Sequence, residues 1–449
     1  MQKADLIIIG AGPAGYEAAV EAARGGMSVV VIEAAKPGGT CLNEGCIPTK
    51  CFCRHAEVLD DVRSAALYGV STGPAQLDMA AVVARKDEVV ARLVSGVEGL
   101  LKTPGITYVQ GRARFVGPHV VAVEESSEQF EASNIMIATG SVTKYLPIEG
   151  AHLPGVVSSR ELLNLTQVPR RLCVVGGGVI GLEFAGIFHT FGSEVTVVEF
   201  CKEILPNFDR DIAKRLRTSL KKRGIRFETQ AAVTAITRDD DGQLRVAYDK
   251  GGKAGACEAD CVLMAVGRAA NTAGLGLDEA GIACTRRGIT VDEHYCTNVP
   301  GVYAVGDVNG LCQLAHAATF QALHVLHHIR GEQDAIRLDI VPAAVFTSPE
   351  VAMVGFTEET CKERSIACRV LKSFYRANGK ALAMNADEGL VKLLTDENDR
   401  ILGAHILGAH ASDLIHEVVV MMNLGVPAGR LRDVVHAHPT LSELLLHLA

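Results

Sequence analysis

Short apolar runs that end in glycine set the rhythm of this chain. Leu6 to Ile9 is an apolar strand running into Gly10-Ala11-Gly12-Pro13-Ala14-Gly15. Tyr16 to Arg24 then reads as a helix, and Val29 to Ile32 as a second strand closed by Glu33. The same order returns about 166 positions later. Leu172 to Val175 leads into Gly176-Gly177-Gly178-Val179-Ile180-Gly181, a helix follows to about Phe191, and the strand Val195 to Val198 ends at Glu199. Two copies of strand, glycine turn, helix, strand and acid predict a duplicated βαβ domain type rather than a solenoid repeat.

Between and after these copies the pattern changes. Residues 55–105 predict helices, with an apolar spacing through Val89, Leu93, Val97 and Leu100. Short strands and turns follow to Gly140. Over 205–265 helix and strand are expected to alternate, closing with Val262 to Val266. A third stretch, about 270–335, holds the strand Val302 to Val305, then Gly306-Asp307 and a histidine-rich helix. From about 340 the strands Val391 to Leu394 and Ile401 to Ile406 precede a helix over Ser412 to Met422 and a helical C-terminus. This last part has no glycine fingerprint and reads as a separate α+β domain. The fold class is therefore α/β, with two Rossmann-like dinucleotide-binding domains and a C-terminal α+β domain. The boundaries fall at 1–147, 148–269, 270–337 (a return to the first domain) and 338–449.

Composition narrows the functions. A chain of 449 residues with 48% hydrophobic residues can build several cores. Net charge −8, without basic clusters beyond Lys221-Lys222-Arg223 at a helix end, argues against a nucleic-acid partner. No run approaches the roughly 18 apolar residues that span a membrane, and Leu6 to Ile9 is too short for a signal-peptide core. A cytoplasmic protein is expected. Its 13 cysteines are an odd number, so most should be reduced and buried. Cys51 with Cys53, and Cys257 with Cys261, lack further ligands at zinc spacing, so no metal site is expected.

The two glycine turns carry the first chemistry. A G-x-G-x-x-G match alone is weak, and an ordinary tight βα turn is the alternative reading. Here each match follows an apolar strand, opens a helix and has an acid 23 residues after its first glycine. Gly10 and Gly176 make the tight turn, Gly12 and Gly178 let backbone approach a pyrophosphate, and Gly15 and Gly181 let helix and strand pack closely. The helix N-terminus supplies unpaired N–H groups and the positive end of a dipole. Glu33 and Glu199 can accept from ribose hydroxyls. A carboxylate at Glu199, followed by Phe200 and Cys201 rather than arginine, favours NAD over NADP, with Lys202 as a small counter-argument.

Gly38-Gly39-Thr40-Cys41-Leu42-Asn43-Glu44-Gly45-Cys46-Ile47-Pro48-Thr49-Lys50 follows the first copy. Five residues of regular helix advance about 7.5 Å, more than the ~6.8 Å that a disulfide spans between Cα atoms. If the two sulfurs bond, the segment must bend, and Gly45 is placed to allow it. A helix start here would lower a thiol pKa. Two inert buried thiols are the bland alternative.

The wording of this segment closely resembles the redox motif of the pyridine nucleotide–disulfide oxidoreductases. The resemblance covers essentially the whole chain. Ala138-Thr139-Gly140-Ser141 is similar to the family's flavin-contacting turn, Val266-Gly267-Arg268 to the stretch closing its nicotinamide domain, and Thr297 to Asp307 to its second flavin motif. Within the family, Phe346-Thr347-Ser348-Pro349-Glu350 and His436-Ala437-His438-Pro439-Thr440-Leu441-Ser442-Glu443 resemble the dihydrolipoyl dehydrogenase branch. Glutathione-type members carry basic residues after the second dinucleotide strand, and mercuric reductases end in an extra cysteine pair. Here the last cysteine is Cys368.

The resemblance implies a Cys41–Cys46 redox disulfide, an FAD and an NAD. It implies His438 and Glu443 as an acid–base dyad that reaches the cysteine site of a second subunit, making the C-terminal domain a homodimer interface. FAD would be met by Gly10, Gly12, Gly15, Glu33, Gly39, Thr40, Lys50, Ala113, Thr139, Gly140, Ser141, Asp307 and Ala315. NAD would be met by Gly176, Gly178, Val179, Ile180, Gly181, Glu183, Glu199, Val233 and Gly267. Lys50 and Glu183 would pair beside the flavin ring, although read cold Glu183 would be an exposed helix residue. The expected reaction oxidises dihydrolipoamide, free or on a lipoyl domain of a 2-oxoacid dehydrogenase or glycine cleavage system, and reduces NAD. The alternatives are a nicotinamide-dependent reductase of another disulfide or of a metal ion, and a flavin-binding redox sensor or complex subunit of low turnover.

Overall fold

The computed structural model describes residues 1–124, 126 and 128–448. They form two compact, discontinuous units: Met1–Cys51 with Ala81–Lys144 and Gly267–Leu338, and Phe52–Ala80 with Tyr145–Val266 and Asp339–Ala449.

In the first unit the strand Gln2–Ile9 lies at the centre of a seven-stranded sheet. It pairs in parallel with Val29–Glu33 on one side and Gln129–Ile137 on the other, with Leu6 opposite Val29 and Asn134. Val302–Ala304 adds a further parallel strand against Ile135–Ile137. Leu6, Ile7, Ile8 and Ile9 are all buried. A parallel strand covered on both faces needs that unbroken apolar run. Leu6 and Ile8 enter the core beneath the helices Pro13–Arg24 and Ala315–Arg330, whose Ala18, Ala19, Ala22 and Ala322 allow close packing. Ile7 and Ile9 enter a second core with Phe115, Phe130 and Val302.

The second unit repeats the motif around Arg171–Val175. That strand is central in a five-stranded parallel sheet between Glu194–Glu199 and Cys261–Met264. Residues 205–265 depart from simple alternation. One helix, Arg210–Lys222, is followed by the edge strand Arg226–Thr229 and an antiparallel meander of Ala232–Arg238, Leu244–Asp249 and Ala254–Ala259. The cause is local: Asp239 to Gly242 and Lys250 to Lys253 close tight turns, and such turns join neighbouring strands as hairpins. The C-terminal part is a five-stranded antiparallel sheet with Ile401–Leu407 at its centre and the helix Ala411–Leu424 packed on it.

The helix Met79–Leu100 buries only part of the expected apolar line, Val97 with Val89 half-buried, and turns neighbouring positions inward beside it. Val82, Val94, Val97 and Leu101 are buried, whereas Leu93 and Leu100 are 39% and 37% exposed. Both leucines lie one position before a buried residue, hence about 100° around the helix. Among the described residues no helix is long and apolar enough to cross a membrane.

Candidate active site

The two glycine turns have the same construction. Gly10 and Gly176 take φ of +104° and +111°, and a Cβ on either would strike a backbone carbonyl, of Ala138 or Ala265. A Cβ on Gly15 or Gly181 would overlap the carbonyl oxygen of Gly10 or Gly176. Around Gly178 a Cβ would meet nothing within 4 Å, and on Gly12 only Gly39 Cα at 3.9 Å. The first and third glycines are thus demanded by the fold. The middle ones leave space that the chain itself does not fill.

The acids are clamped alike. Glu33 accepts from the N–H of Ala11 and of Ala35, both at 2.7 Å. Glu199 accepts from Gly177 at 2.5 Å and Cys201 at 2.6 Å. Each carboxylate keeps unused lone pairs beside its turn, where ribose hydroxyls could donate. Phe200 is 75% exposed and Lys202 is exposed.

The cysteine segment is folded onto the first turn. Gly38, at φ +96°, caps the short helix Gly39–Asn43, and its N–H donates to Ala11 at 2.7 Å. A Cβ on Gly39 would stand 2.8 Å from Gly12 Cα. The helix stops at Glu44-Gly45 and a new one, Cys46–Ser64, begins. Asn43 holds the break by donating to the carbonyls of Pro37 and Gly39, each at 3.0 Å. Gly45 serves by its size, since a Cβ there would meet the Thr40 carbonyl oxygen at 2.9 Å.

Cys41 and Cys46 stand as hydrogen-bonded thiols. The lowered thiol pKa expected of a helix start does not hold for Cys41. Its thiol is pushed far up, first by the hydrogen bond to Cys46 and then by burial, against the pull of Lys50. The second helix starts at Cys46, while Cys41 lies inside the first. Beside them the Tyr16 phenol is raised to about 12, chiefly by burial. Lys50 follows on the Cys46–Ser64 helix.

Also in the first unit, residues far apart in sequence meet, and Arg268 among them lies near enough to Glu44 and Cys46 to feel their charge. Arg268 donates from Nε to Ser141 Oγ and from its terminal nitrogen to the Ser141 carbonyl, both at 2.7 Å. Ser141 Oγ donates in turn to Asp307 Oδ2 at 2.5 Å. Burial lowers the Arg268 pKa, and Asp307 opposes that shift. Thr139 and Asn271 exchange two hydrogen bonds, and Gly140 between them has φ +70°. The strands Ser141–Thr143 and Arg268–Ala270 run antiparallel. Ala113 is buried at the start of a strand, Ala315 opens the long helix, and Gly267, at φ +103°, begins the return to this unit. The Arg268–Ser141–Asp307 chain was not anticipated. Its members come from two short strands and the turn Gly306–Asn309.

In the second unit, Val179 and Ile180 open the helix after the glycine turn, and Val233 is half-buried in the meander. Glu183 is buried, at 4% exposure, and accepts from the Phe346 N–H at 2.9 Å. The cold reading of it as an exposed helix residue is corrected: it faces protein.

His438 Nδ1 lies 2.9 Å from Glu443 Oε1, and the imidazole is 80% exposed while the carboxylate side chain is 20% exposed. Glu443 Oε2 accepts from the Thr440 N–H at 2.8 Å. That bond first, and His438 second, hold the Glu443 carboxyl below its ordinary range. With its Nδ1 side taken, His438 presents Nε2 to incoming groups. His436, two residues earlier, is enclosed and bound to Glu417 at 2.7 Å and to the Val434 carbonyl, a structural arrangement.

Residues 4–322 match the model of the pyridine nucleotide-disulphide oxidoreductases, and residues 341–449 match the dimerisation domain of the same proteins. The chain belongs to the pyridine nucleotide-disulphide oxidoreductase family. It is an enzyme family of two dinucleotide-binding domains and a C-terminal dimerisation domain, with which the two glycine turns and the antiparallel tail agree. The chain is 40% identical to the mitochondrial dihydrolipoyl dehydrogenase of Pisum sativum over 99% of its length and 90% of that protein's. It is 39% identical to the dihydrolipoyl dehydrogenase of Chlamydia muridarum over 98% and 95%. Among solved structures it is similar to the Cu(II) complex of the HOCl-induced flavoprotein disulfide reductase RclA from Escherichia coli. That likeness has a TM-score of 0.89 and 33% identity, and covers 100% of this chain and 99% of the other.

Proposed function

We propose that this protein oxidises dihydrolipoamide to lipoamide and reduces NAD, working as a homodimer with bound FAD. The observation that carries the reading is a hydrogen-bonded Cys41–Cys46 pair laid on a dinucleotide turn, in a chain that also presents an exposed His438 locked to Glu443. The space left at Gly12, the clamped Glu33 and the Ser141–Asp307 bond fit FAD in the first unit. The open space at Gly178 and the clamped Glu199 fit NAD in the second. Bound FAD supplies two-electron exchange between a dithiol and a nicotinamide.

The protein's own part follows from its side chains. His438 Nε2 takes a proton from one thiol of the substrate, and Glu443 stabilises the imidazolium and fixes the ring. The thiolate attacks the Cys41 sulfur of the oxidised pair and expels Cys46 as thiolate. The second substrate thiol then displaces Cys41, which leaves as a thiol with a proton, and the substrate departs as a cyclic disulfide. Val420, Leu424, Val434 and Val435 are exposed on the C-terminal part, apolar surface suited to a second copy. In the dimer the dyad of one copy would serve the cysteine pair of the other. A cytoplasmic location and a lipoyl-bearing complex as the source of the dithiol complete this reading.

The test is anaerobic stopped-flow mixing of the flavoprotein with dihydrolipoamide. Flavin reduction that Cys41→Ser abolishes is the expected result, and an unchanged flavin spectrum in the unaltered protein would sink the proposal. The likeness to a flavoprotein disulfide reductase favours one second reading, a reductase of another disulfide or a metal ion. Steady-state rates with lipoamide, glutathione disulfide and Cu(II), each with NADH and NADPH, separate the two.

A further inference from the structure

A second pair of sulfurs meets far from Cys41. Cys173 lies in the central strand Arg171–Val175, between Thr196 and Val262, and is 1% exposed. Cys257 lies in the meander strand Ala254–Ala259, opposite Val246, and is half-buried. The chain brings them together across 84 positions, with Sγ to Sγ at 3.4 Å. A disulfide has an S–S distance of about 2.05 Å, so an approach of about 1.4 Å would close one. The central strand is held by parallel neighbours on both sides, so the meander strand makes that movement.

We propose that Cys173 and Cys257 form a second redox-active dithiol, closed to a reversible disulfide by peroxides and independent of the Cys41–Cys46 pair. The roles follow from position. Cys257 is the more exposed residue of the two, and Cys173 lies in the apolar interior. Their hydrogen bond works in opposite senses, drawing the Cys257 thiol below its ordinary value and, together with burial, holding Cys173 well above. The Cys257 thiolate attacks a peroxide oxygen, the O–O bond breaks, and the departing oxygen leaves as water or an alcohol. The resulting sulfenic acid is attacked by the Cys173 sulfur. The S–S bond forms, the Cys173 proton goes with the leaving hydroxide as water, and the two thiols have lost two electrons to one peroxide. Cys173 stands three residues before Gly176, so the bond would tie the strand that feeds the second glycine turn to the adjoining meander.

The neighbouring thiol Cys261 is close enough to Cys173 to interact with it electrostatically, so the test must separate the partners. The full-length flavoprotein is treated with one to several equivalents of hydrogen peroxide, blocked with N-ethylmaleimide under denaturing conditions, and digested without reduction. Mass spectrometry should find a peptide pair joined through Cys173 and Cys257 that grows with peroxide and disappears with dithiothreitol. Cys257→Ser should keep basal turnover and leave Cys173 labelled by maleimide. A Cys257 recovered as labelled thiol or as sulfinic acid, with no joined peptide, would overturn the proposal. So would a bond from either cysteine to Cys261.

Discussion

His438 and Glu443 face one another at 2.9 Å across five residues that form no single helix, with Glu443 the first residue of the last helical turn and His438 outside it. The spacing brings the two together because the Thr440 N–H, between them, anchors the second carboxylate oxygen at 2.8 Å. If His438 takes the substrate proton, His438→Gln should lower kcat for dihydrolipoamide by about 10² to 10⁴-fold. Flavin content and nicotinamide oxidation by an artificial acceptor should be retained. Equal losses in both assays would show a structural role.

The same geometry sets a pH dependence. The Glu443 pKa is depressed in the folded protein, so the contribution of its charged form is complete above the unfolded value, about 4.3. It is lost only as pH falls through the lowered value. Activity lost between pH 7 and 5 should therefore be reversible and leave the 443 carboxylate charged. Glu443→Gln should change the shape of the rate–pH profile, measured under single-turnover conditions.

The middle glycines separate binding from folding. Gly178→Ala introduces a Cβ into open space, at an ordinary φ of −81°. It should alter stability by less than about 1 kcal/mol while raising the KM for NADH at least about tenfold. Gly176→Ala, at φ +111° and against the Ala265 carbonyl, should yield little folded protein. Denaturant titration alongside nicotinamide kinetics checks both outcomes.

Glu199→Gln tests cofactor choice without undoing the turn. The amide oxygen can still accept from one of the two N–H groups that the carboxylate now satisfies. Loss of the negative charge should narrow the ratio of kcat/KM between NADH and NADPH by about tenfold, chiefly through NADPH. An unchanged ratio would remove Glu199 from discrimination.

Stability of the second unit depends on a buried cation. Lys392 Nζ, with its side chain 1% exposed, contacts Asp209 at 2.7 Å and Glu358 at 2.8 Å. Lys392→Ala leaves the Asp209 carboxylate, 0% exposed, without its cation and should cost roughly 3–5 kcal/mol. Lys392, first, and Lys362 lower the Glu358 pKa to about 2, so this part persists above the ordinary glutamate range and fades only as pH falls toward 2. Acid and urea unfolding of the variant and the unaltered protein would measure it.

The site was legible where chemistry depends on spacing along the chain. Gly10, Gly12, Gly15 and Glu33 lie within one βαβ unit, and Cys41 and Cys46 follow it five residues apart across the break at Gly45. Long-range meetings were not legible. Arg268, Ser141 and Asp307 come from three segments; the antiparallel pairing of Ser141–Thr143 with Arg268–Ala270 brings the first two together, and Asp307 meets them from the turn Gly306–Asn309. Glu183 is polar in a helix that is apolar on most sides, so periodicity could not reveal that its partner is the Phe346 N–H. Leu93 and Leu100 failed for a related reason, since apolar residues on Met79–Leu100 outnumber those that one face can bury. The Cys41 pKa depended on the second sulfur, which outweighs any effect of the helix start.

The two acid clamps have a consequence for how this chain tolerates change. Glu33 and Glu199 bind their turns through equivalent backbone groups, yet only after Glu33 does the chain lay a pair of reactive sulfurs on the turn it has just made. Holding a nucleotide and reacting with a substrate are thus entrusted to adjacent but separable stretches of backbone. Substitutions in this segment away from Thr40, Gly45 and Lys50 should therefore alter reactivity more than they alter either nucleotide seat.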